Sequence, residues 1–189
     1  MKKSDDYIVS FDNEDLILVD ASDNKIGTMS KFDCHQDGGR LHRAFSVFLF
    51  NARGELLIQQ RSASKRLWPL FWSNSCCSHP RQGENLMEAV TRRLHDELGV
   101  SVSNLQYIYK FSYAAMYKDI GSENELCSVY MGSVDQKINI NNNEIADFKF
   151  INLKDLPKLL KRGNVCTPWF IMEWEQLKSK HKKLLESFL

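Results

Sequence analysis

Ser73-Asn74-Ser75-Cys76-Cys77-Ser78-His79-Pro80 runs into an amphipathic segment that opens near Glu84 and stops at Gly99, and the two together hold the most unusual chemistry of this chain. A run of small residues carrying two thiols and an imidazole buries little apolar surface, so it reads as a loop site held by a scaffold. The segment behind it has Leu86, Val90 and Leu94 at four-residue spacing, with Met87 and Leu98 beside them, and Gly99 stands where a left-handed C-cap is wanted. This predicts a helix from Glu84 to Leu98.

Upstream, Asp15 to Val19 and the turn residues Asp23-Asn24-Lys25 with Gly27 suggest a first hairpin. Lys31 to Gly39 is polar. Ala44 to Phe50 is apolar on both faces, which marks a central strand whose entrance is flanked by His35 and His42. Asn51-Ala52-Arg53-Gly54 then suits a hairpin loop, so Glu55 to Arg61 should return antiparallel and place Arg61 and Lys65 at its far end. Downstream, Leu105 to Tyr113, Leu126 to Gly132 and Phe148 to Ile151 read as strands, with Asn139 to Asn143 as a solvated loop. A helix is expected with Asp155 near its N-cap and Pro157 in its first turn, and another from near Trp169 to the C-terminus. The resulting order predicts a mixed β-sheet with helices packed on its faces, in the α/β or α+β class.

At 189 residues, with 25 basic and 24 acidic side chains, the chain reads as one domain, 1–189, without the net field that collects nucleic acid or an anionic membrane. The acidic start, Met1 to Asp6, is unlike a secretory signal, and no stretch is long and apolar enough for a membrane helix, so a cytoplasmic location is expected. Five cysteines without a Cys-x-x-Cys pair read as free thiols.

Three clusters of residue types carry chemistry. His35, His42 and His79 with Glu123 and Glu125 form a nitrogen and oxygen set suited to a divalent ion, provided residues 123–125 are extended so that both carboxylates share a face; otherwise they are ordinary hydrogen-bonded residues. Glu97 lies at the edge of the helix's apolar stripe and needs a partner, either Arg93 one turn earlier or a metal ion. Lys31, Arg61, Lys65, Arg66 and Arg93 are cations that could hold a phosphate or line a solvated strand end. Cys77 is a packing residue or, beside a cation, a proton donor or nucleophile. Trp72, Tyr113 and Trp169 are core aromatics or walls of a dry pocket.

These residues resemble the type 1 isopentenyl-diphosphate isomerases, which are built on the Nudix fold. The resemblance is carried by Lys31 to His35, Leu41-His42-Arg43-Ala44-Phe45-Ser46, Arg61-Ser62-Ala63-Ser64-Lys65, Trp72 to Pro80, Arg92 to Gly99, Glu123 to Cys127 and Thr167-Pro168-Trp169. Against the general Nudix pattern the helix keeps Glu84, Arg92, Leu94, Glu97, Gly99 and Val100. It has Ser78 in place of the first glycine, and Arg93 and Asp96 in place of two glutamates with which a Nudix hydrolase gathers magnesium around a diphosphate.

The resemblance implies an isomerase interconverting isopentenyl and dimethylallyl diphosphate in isoprenoid biosynthesis, with a Nudix diphosphohydrolase as the alternative. It implies that His35, His42, His79, Glu123 and Glu125 bind one divalent ion (Mn2+ or Zn2+), and that Glu97 with the Cys77 carbonyl binds magnesium (Mg2+). Lys31, Arg61, Lys65 and Arg93 would hold the diphosphate, and Trp169 would wall the pocket. Cys77 and Glu125 would transfer protons with help from Tyr113. The partner implied is a small prenyl diphosphate, with no nucleic acid, membrane or obligate protein partner.

Overall fold

His42–Phe50 forms β3, the strand on which the rest of the sheet is aligned, and its residues 44–50 are all buried. The computed structural model describes residues 7–188; the acidic start and Leu189 lie outside them. Along one edge β3 meets three antiparallel partners. These are β1 (Asp15–Val19) at Leu18↔His42, β6 (Cys76–Ser78) from Phe45↔Ser78 to Val47↔Cys76, and β4 (Leu56–Arg61) at Phe50↔Leu56. Along the other edge it runs parallel to β8 (Gly121–Ser133), from His42↔Glu125 to Phe50↔Ser133. β2 (Lys25–Ser30) completes the first hairpin with β1. β7 (Gln106–Tyr117) forms a long hairpin with β8, and β4 also pairs β5 (Trp72–Ser73) and β9 (Ile145–Ile151). The sheet has nine strands and is mixed, as expected.

Alternation along β3 sends side chains to two faces. Phe45, Val47 and Leu49 pack with Ala89, Val90, Leu94 and Leu98 of α2 (Leu86–Leu98), while Ala44, Phe48 and Phe50 pack with Phe170, Trp174 and Leu177 of α4 (Pro168–Lys180). The start of α2 differs from the sequence reading. Asn85 is the N-cap, forming a reciprocal capping box with Glu88, while Glu84 stays outside and binds Arg92 at 2.7 and 2.8 Å. Gly99 closes the helix at φ 66°, as expected. α3 (Leu156–Leu160) follows Asp155, and α4 does not continue to the C-terminus: His181, at φ −123° and ψ 25°, breaks it before α5 (Lys182–Glu186).

The larger correction concerns residues 73–78, which are mostly strand and not a loop. Ser73, Asn74, Ser75 and Cys76 have no solvent exposure, and two short strands run through them. Ser75 Oγ donates to the Leu57 carbonyl at 2.6 Å and accepts from Leu49 N at 2.8 Å, and Asn74 Nδ2 donates to the Cys76 carbonyl at 2.9 Å. Small polar side chains here supply backbone partners where the chain crosses between β4 and β3, which is why they are buried without being apolar. A short helix, α1 (Lys31–Cys34), capped by the Ser30 side chain, was also unanticipated. Among the described residues no helix is long and apolar enough to cross a membrane.

Candidate active site

The α4 face of the sheet gathers the chemistry because of strand register. The parallel β3–β8 pairing sets His42 against Glu125, the β7–β8 hairpin sets Tyr113 against Glu125, and the β3–β6 pairing sets Cys77 against Ser46. Residues 123–125 lie within β8, so both glutamates leave the same face. His35 follows α1 as its C-cap, and His79 follows β6 by one residue.

Ligand atoms of His35, His42, His79, Glu123 and Glu125 lie within 4.8 Å of one another. His35 Nε2 is 2.7 Å from Glu123 Oε2, and His79 Nε2 is 2.9 Å from Glu125 Oε1. The Nδ1 atoms of His35 and His42 each donate to a backbone carbonyl at 2.6 Å, from Lys31 and Arg40 respectively. That arrangement fixes both rings with Nε2 toward the centre, as in metal-ligating histidines generally. His42 Nε2 is fully buried without a hydrogen-bond partner, an expense that a cation at the centre would remove.

Titration behaviour agrees with such a set. Burial, reinforced by the His35 charge, depresses the His42 imidazole to about 4, and burial with His42 and His35 as neighbours drives His79 well below its ordinary value. Burial opposes charge on His35 too, but Glu123 outweighs it and raises that imidazole. The two carboxyls diverge. Burial alone would raise Glu123, yet His35 pulls it down to about 2, whereas burial and the Glu123 charge push Glu125 well up. The two neighbouring carboxyls are thus pushed in opposite directions, a divergence typical of proton-transfer sites. Tyr113 Oη donates to Glu125 Oε2 at 2.6 Å.

Beside this cluster lies a cavity of about 380 Å³, a size suited to a small molecule. Cys77, Tyr113, Glu125 and Trp169 line it, and so do the cations Lys31, Arg61, Lys65 and Arg93. Arg61 donates to the carbonyls of Trp68 and Leu67 at 3.1 and 2.9 Å, with its guanidinium 5.3 Å from the centre of the Trp169 ring. Trp169 is fixed by its Nε1 donating to Ser73 Oγ at 3.1 Å and by an edge-on contact with Trp68 at 5.2 Å. Lys31 bonds Ser10, and burial, together with repulsion from Lys65 and Arg93, lowers its ammonium to about 8. Burial is also the main reason that the Cys77 thiol is pushed up to about 12, so Cys77 carries its proton at neutral pH.

Glu97 is placed apart from the five clustered ligands. Its Oε1 accepts from Arg93 Nε at 2.8 Å and from the Cys76 thiol at 3.5 Å. Of the two partners considered for Glu97, the structure supplies Arg93. Glu144 was missed by the sequence reading: it pairs with both Lys65 and Arg93 at the cavity, and its position just after an asparagine-rich loop offered no signal.

Residues 40–170 match the NUDIX domain. A solved structure of the Deinococcus radiodurans protein DR0079 shares the fold at a TM-score of 0.70 and 24% identity, covering 86% of this chain and 98% of that one. A MutT protein from Methanosarcina mazei aligns at a TM-score of 0.62 and 17% identity, over 75% of this chain and 96% of its own. Fold and site thus define a Nudix protein with a set of histidines and glutamates placed so that they could hold a metal ion. Isopentenyl-diphosphate Delta-isomerase 1 of Photorhabdus laumondii is 44% identical over 170 residues, 89% of this chain and 97% of that protein. The Salmonella arizonae isopentenyl-diphosphate Delta-isomerase is 38% identical over 179 residues, 93% of this chain and 96% of its own. The chain belongs to the isopentenyl-diphosphate Delta-isomerase family.

Proposed function

We propose that this isomerase interconverts isopentenyl and dimethylallyl diphosphate with Cys77 and Glu125 as its proton-transfer pair. The observation that carries the assignment is that both line one cavity, on strands flanking β3, together with Tyr113, Trp169 and four cations. Shifting a double bond along an allylic unit adds a proton at one carbon and removes one from another, so two proton-transfer groups are needed. Cys77 carries a proton at neutral pH, and Glu125 is protonated or ionised according to the charge beside it. Tyr113 orients the Glu125 carboxyl by donating to it, and the Trp169 ring offers its face to positive charge developing on the hydrocarbon. Lys31, Arg61, Lys65 and Arg93 hold the diphosphate at the cationic part of the cavity.

The donors fit a divalent metal ion, and His35, His42, His79, Glu123 and Glu125 would hold it. When bound, such an ion supplies positive charge that favours the ionised form of Glu125. Three imidazoles with carboxylates suit manganese or zinc. A magnesium ion at Glu97 belongs to this reading only as an ion entering with the diphosphate, because Arg93 occupies that carboxylate, and no step here depends on it. The chain acts as one domain, since the site draws on residues from Lys31 to Trp169, and it works on a small prenyl diphosphate in the cytoplasm without nucleic acid or an obligate protein partner.

Incubation with isopentenyl diphosphate in deuterated water, followed by proton and phosphorus NMR, tests the reading. Dimethylallyl diphosphate carrying solvent deuterium, with the diphosphate intact, is the expected product. Release of phosphate without a shift of the double bond would overturn it in favour of a hydrolase.

A further inference from the structure

The sheet face that carries the site also carries a carboxyl group that the chemistry above does not use. Glu173 lies one helical turn beyond Trp169 on α4 and has no solvent exposure. Its Oε2 is buried without a hydrogen-bond partner, while the Cys127 thiol lies 3.6 Å from its Oε1 and 3.5 Å from Ser46 Oγ. Ser46, the other partner of that thiol, also favours the ionised form of the Glu173 carboxyl. Register brings this trio to the reacting groups: Ser46 stands opposite Cys77, and Cys127 follows Glu125 by two residues on the same face of β8. The titratable groups facing Glu173 are Cys127 and Glu125 from β8, Cys77 from β6 and Tyr109 from β7, and none of them is a cation. A carboxylate in such surroundings is strongly disfavoured, and burial lifts this carboxyl to about 8, with the bonds from Ser46 and Cys127 recovering only part.

We propose that Glu173 is a positioning residue for the isomerisation, standing as a neutral acid behind Cys77 and Glu125 and fixing Ser46 and Cys127 beneath them. The proposal rests on the assignment of Cys77 and Glu125 as the proton-transfer pair. A neutral Glu173 accepts from the Cys127 thiol through Oε1 and adds no charge behind the reacting groups. Its ionisation would place a fixed negative charge beside a pair that must itself change charge in each turnover, so turnover is supported by the protonated form and falls as pH rises through its pKa.

The test measures kcat and KM against pH for the full chain with its divalent metal, as wild type, Glu173→Gln and Glu173→Leu. Glutamine keeps the shape and neutrality of the acid, so this variant should stay within about threefold of wild type near neutral pH and lose the decline above about pH 8. Leucine provides no polar atom, so kcat should fall about 10- to 100-fold while metal content holds. Wild-type kcat in Glu173→Leu, or an unchanged alkaline limb in Glu173→Gln, overturns the proposal. Should Glu173→Leu not fold, the infrared difference between wild type and Glu173→Gln decides it: the protonated-carboxyl band must be present near neutral pH, and a carboxylate band there refutes the role. A wild-type protein that fails to isomerise removes the underlying assignment instead, and the control shows this before any variant is compared.

Discussion

Replacing Arg93 by methionine probes a buried residue that pairs with two carboxylates and lines the cavity. Arg93 is 3% exposed, 2.7 Å from Glu97 Oε1 and 2.8 Å from Glu144 Oε2, and it donates to the Val9 carbonyl at 2.8 Å. Methionine keeps the apolar stem and removes the charge, leaving Glu97 without its ion-pair partner and Glu144 with Lys65 alone. Breaking a buried pair from one side costs about 3–5 kcal/mol, because a charge stays behind uncompensated. For a chain of this size each kcal/mol moves Tm by about 2–4 °C, so a fall of about 6–20 °C is expected. Burial tends to raise the Glu144 carboxyl, but Lys65 and Arg93 outweigh it and hold it below the ordinary value. A depressed carboxyl stabilises the fold above its unfolded pKa and loses that contribution as pH falls through its folded pKa. The variant lacks much of this contribution, so the gap from wild type should be full from neutral pH down to about pH 4 and narrow as pH falls below that, toward about pH 2. Urea and thermal unfolding followed by circular dichroism across that range make the measurement. A loss below about 1 kcal/mol at neutral pH, or a gap that does not change with pH, refutes the reasoning.

Cys77→Ala should retain the fold and lose about 10²- to 10⁴-fold in isomerisation rate, since it removes one of two proton-transfer groups but only one small side chain; near-normal turnover by the folded variant would sink the assignment. Cys76→Ala, at a buried thiol directed to Glu97, should lower Tm modestly and keep turnover, as read by calorimetry and the same rate assay. His42→Ala and Glu123→Ala should each lower bound metal and activity together, and elemental analysis showing full occupancy in both would remove the five-ligand site. Gly121→Ala should destabilise by about 1–3 kcal/mol, because the added Cβ would run into the His35 backbone carbonyl; wild-type Tm and metal content would contradict that.

What the sequence disclosed was what periodicity and residue chemistry can encode. β3 was legible because a doubly buried strand is apolar on both faces, and α2 because its stripe and Gly99 are local features. The three histidines and two glutamates were legible as a donor set, but their convergence depends on the β3–β8 register, a pairing between segments about eighty residues apart that no local pattern states. Residues 73–78 misled for the opposite reason. Their small polar side chains suggested a loop, whereas Ser75 and Asn74 are polar because they satisfy buried backbone groups of neighbouring strands. Glu144 and Glu173 carried no signal at all, since a lone acidic residue in a loop or helix reads as solvated until its neighbours are known.

The placement of charge explains how a Nudix frame can act on carbon instead of phosphorus. Where the hydrolase pattern has glutamates on the helix, this chain has Arg93 and Asp96. Arg93 points its charge at Glu97 and Glu144, Glu84 is held by Arg92, and Asp96 accepts from the Tyr7 hydroxyl at 2.8 Å. The helix therefore offers carboxylates that are already paired, and a carboxylate shared with a buried guanidinium is a weak gatherer of metal around a diphosphate. Among the described residues, His42 Nε2 on the sheet is buried without a hydrogen-bond partner, in the same cluster as Glu125. Donors that could hold a cation thus lie on the sheet, beside the groups proposed to transfer protons. On the proposed function the diphosphate falls to Lys31, Arg61, Lys65 and Arg93, which line the cavity and would bind phosphate oxygens without supplying a nucleophile to cleave them.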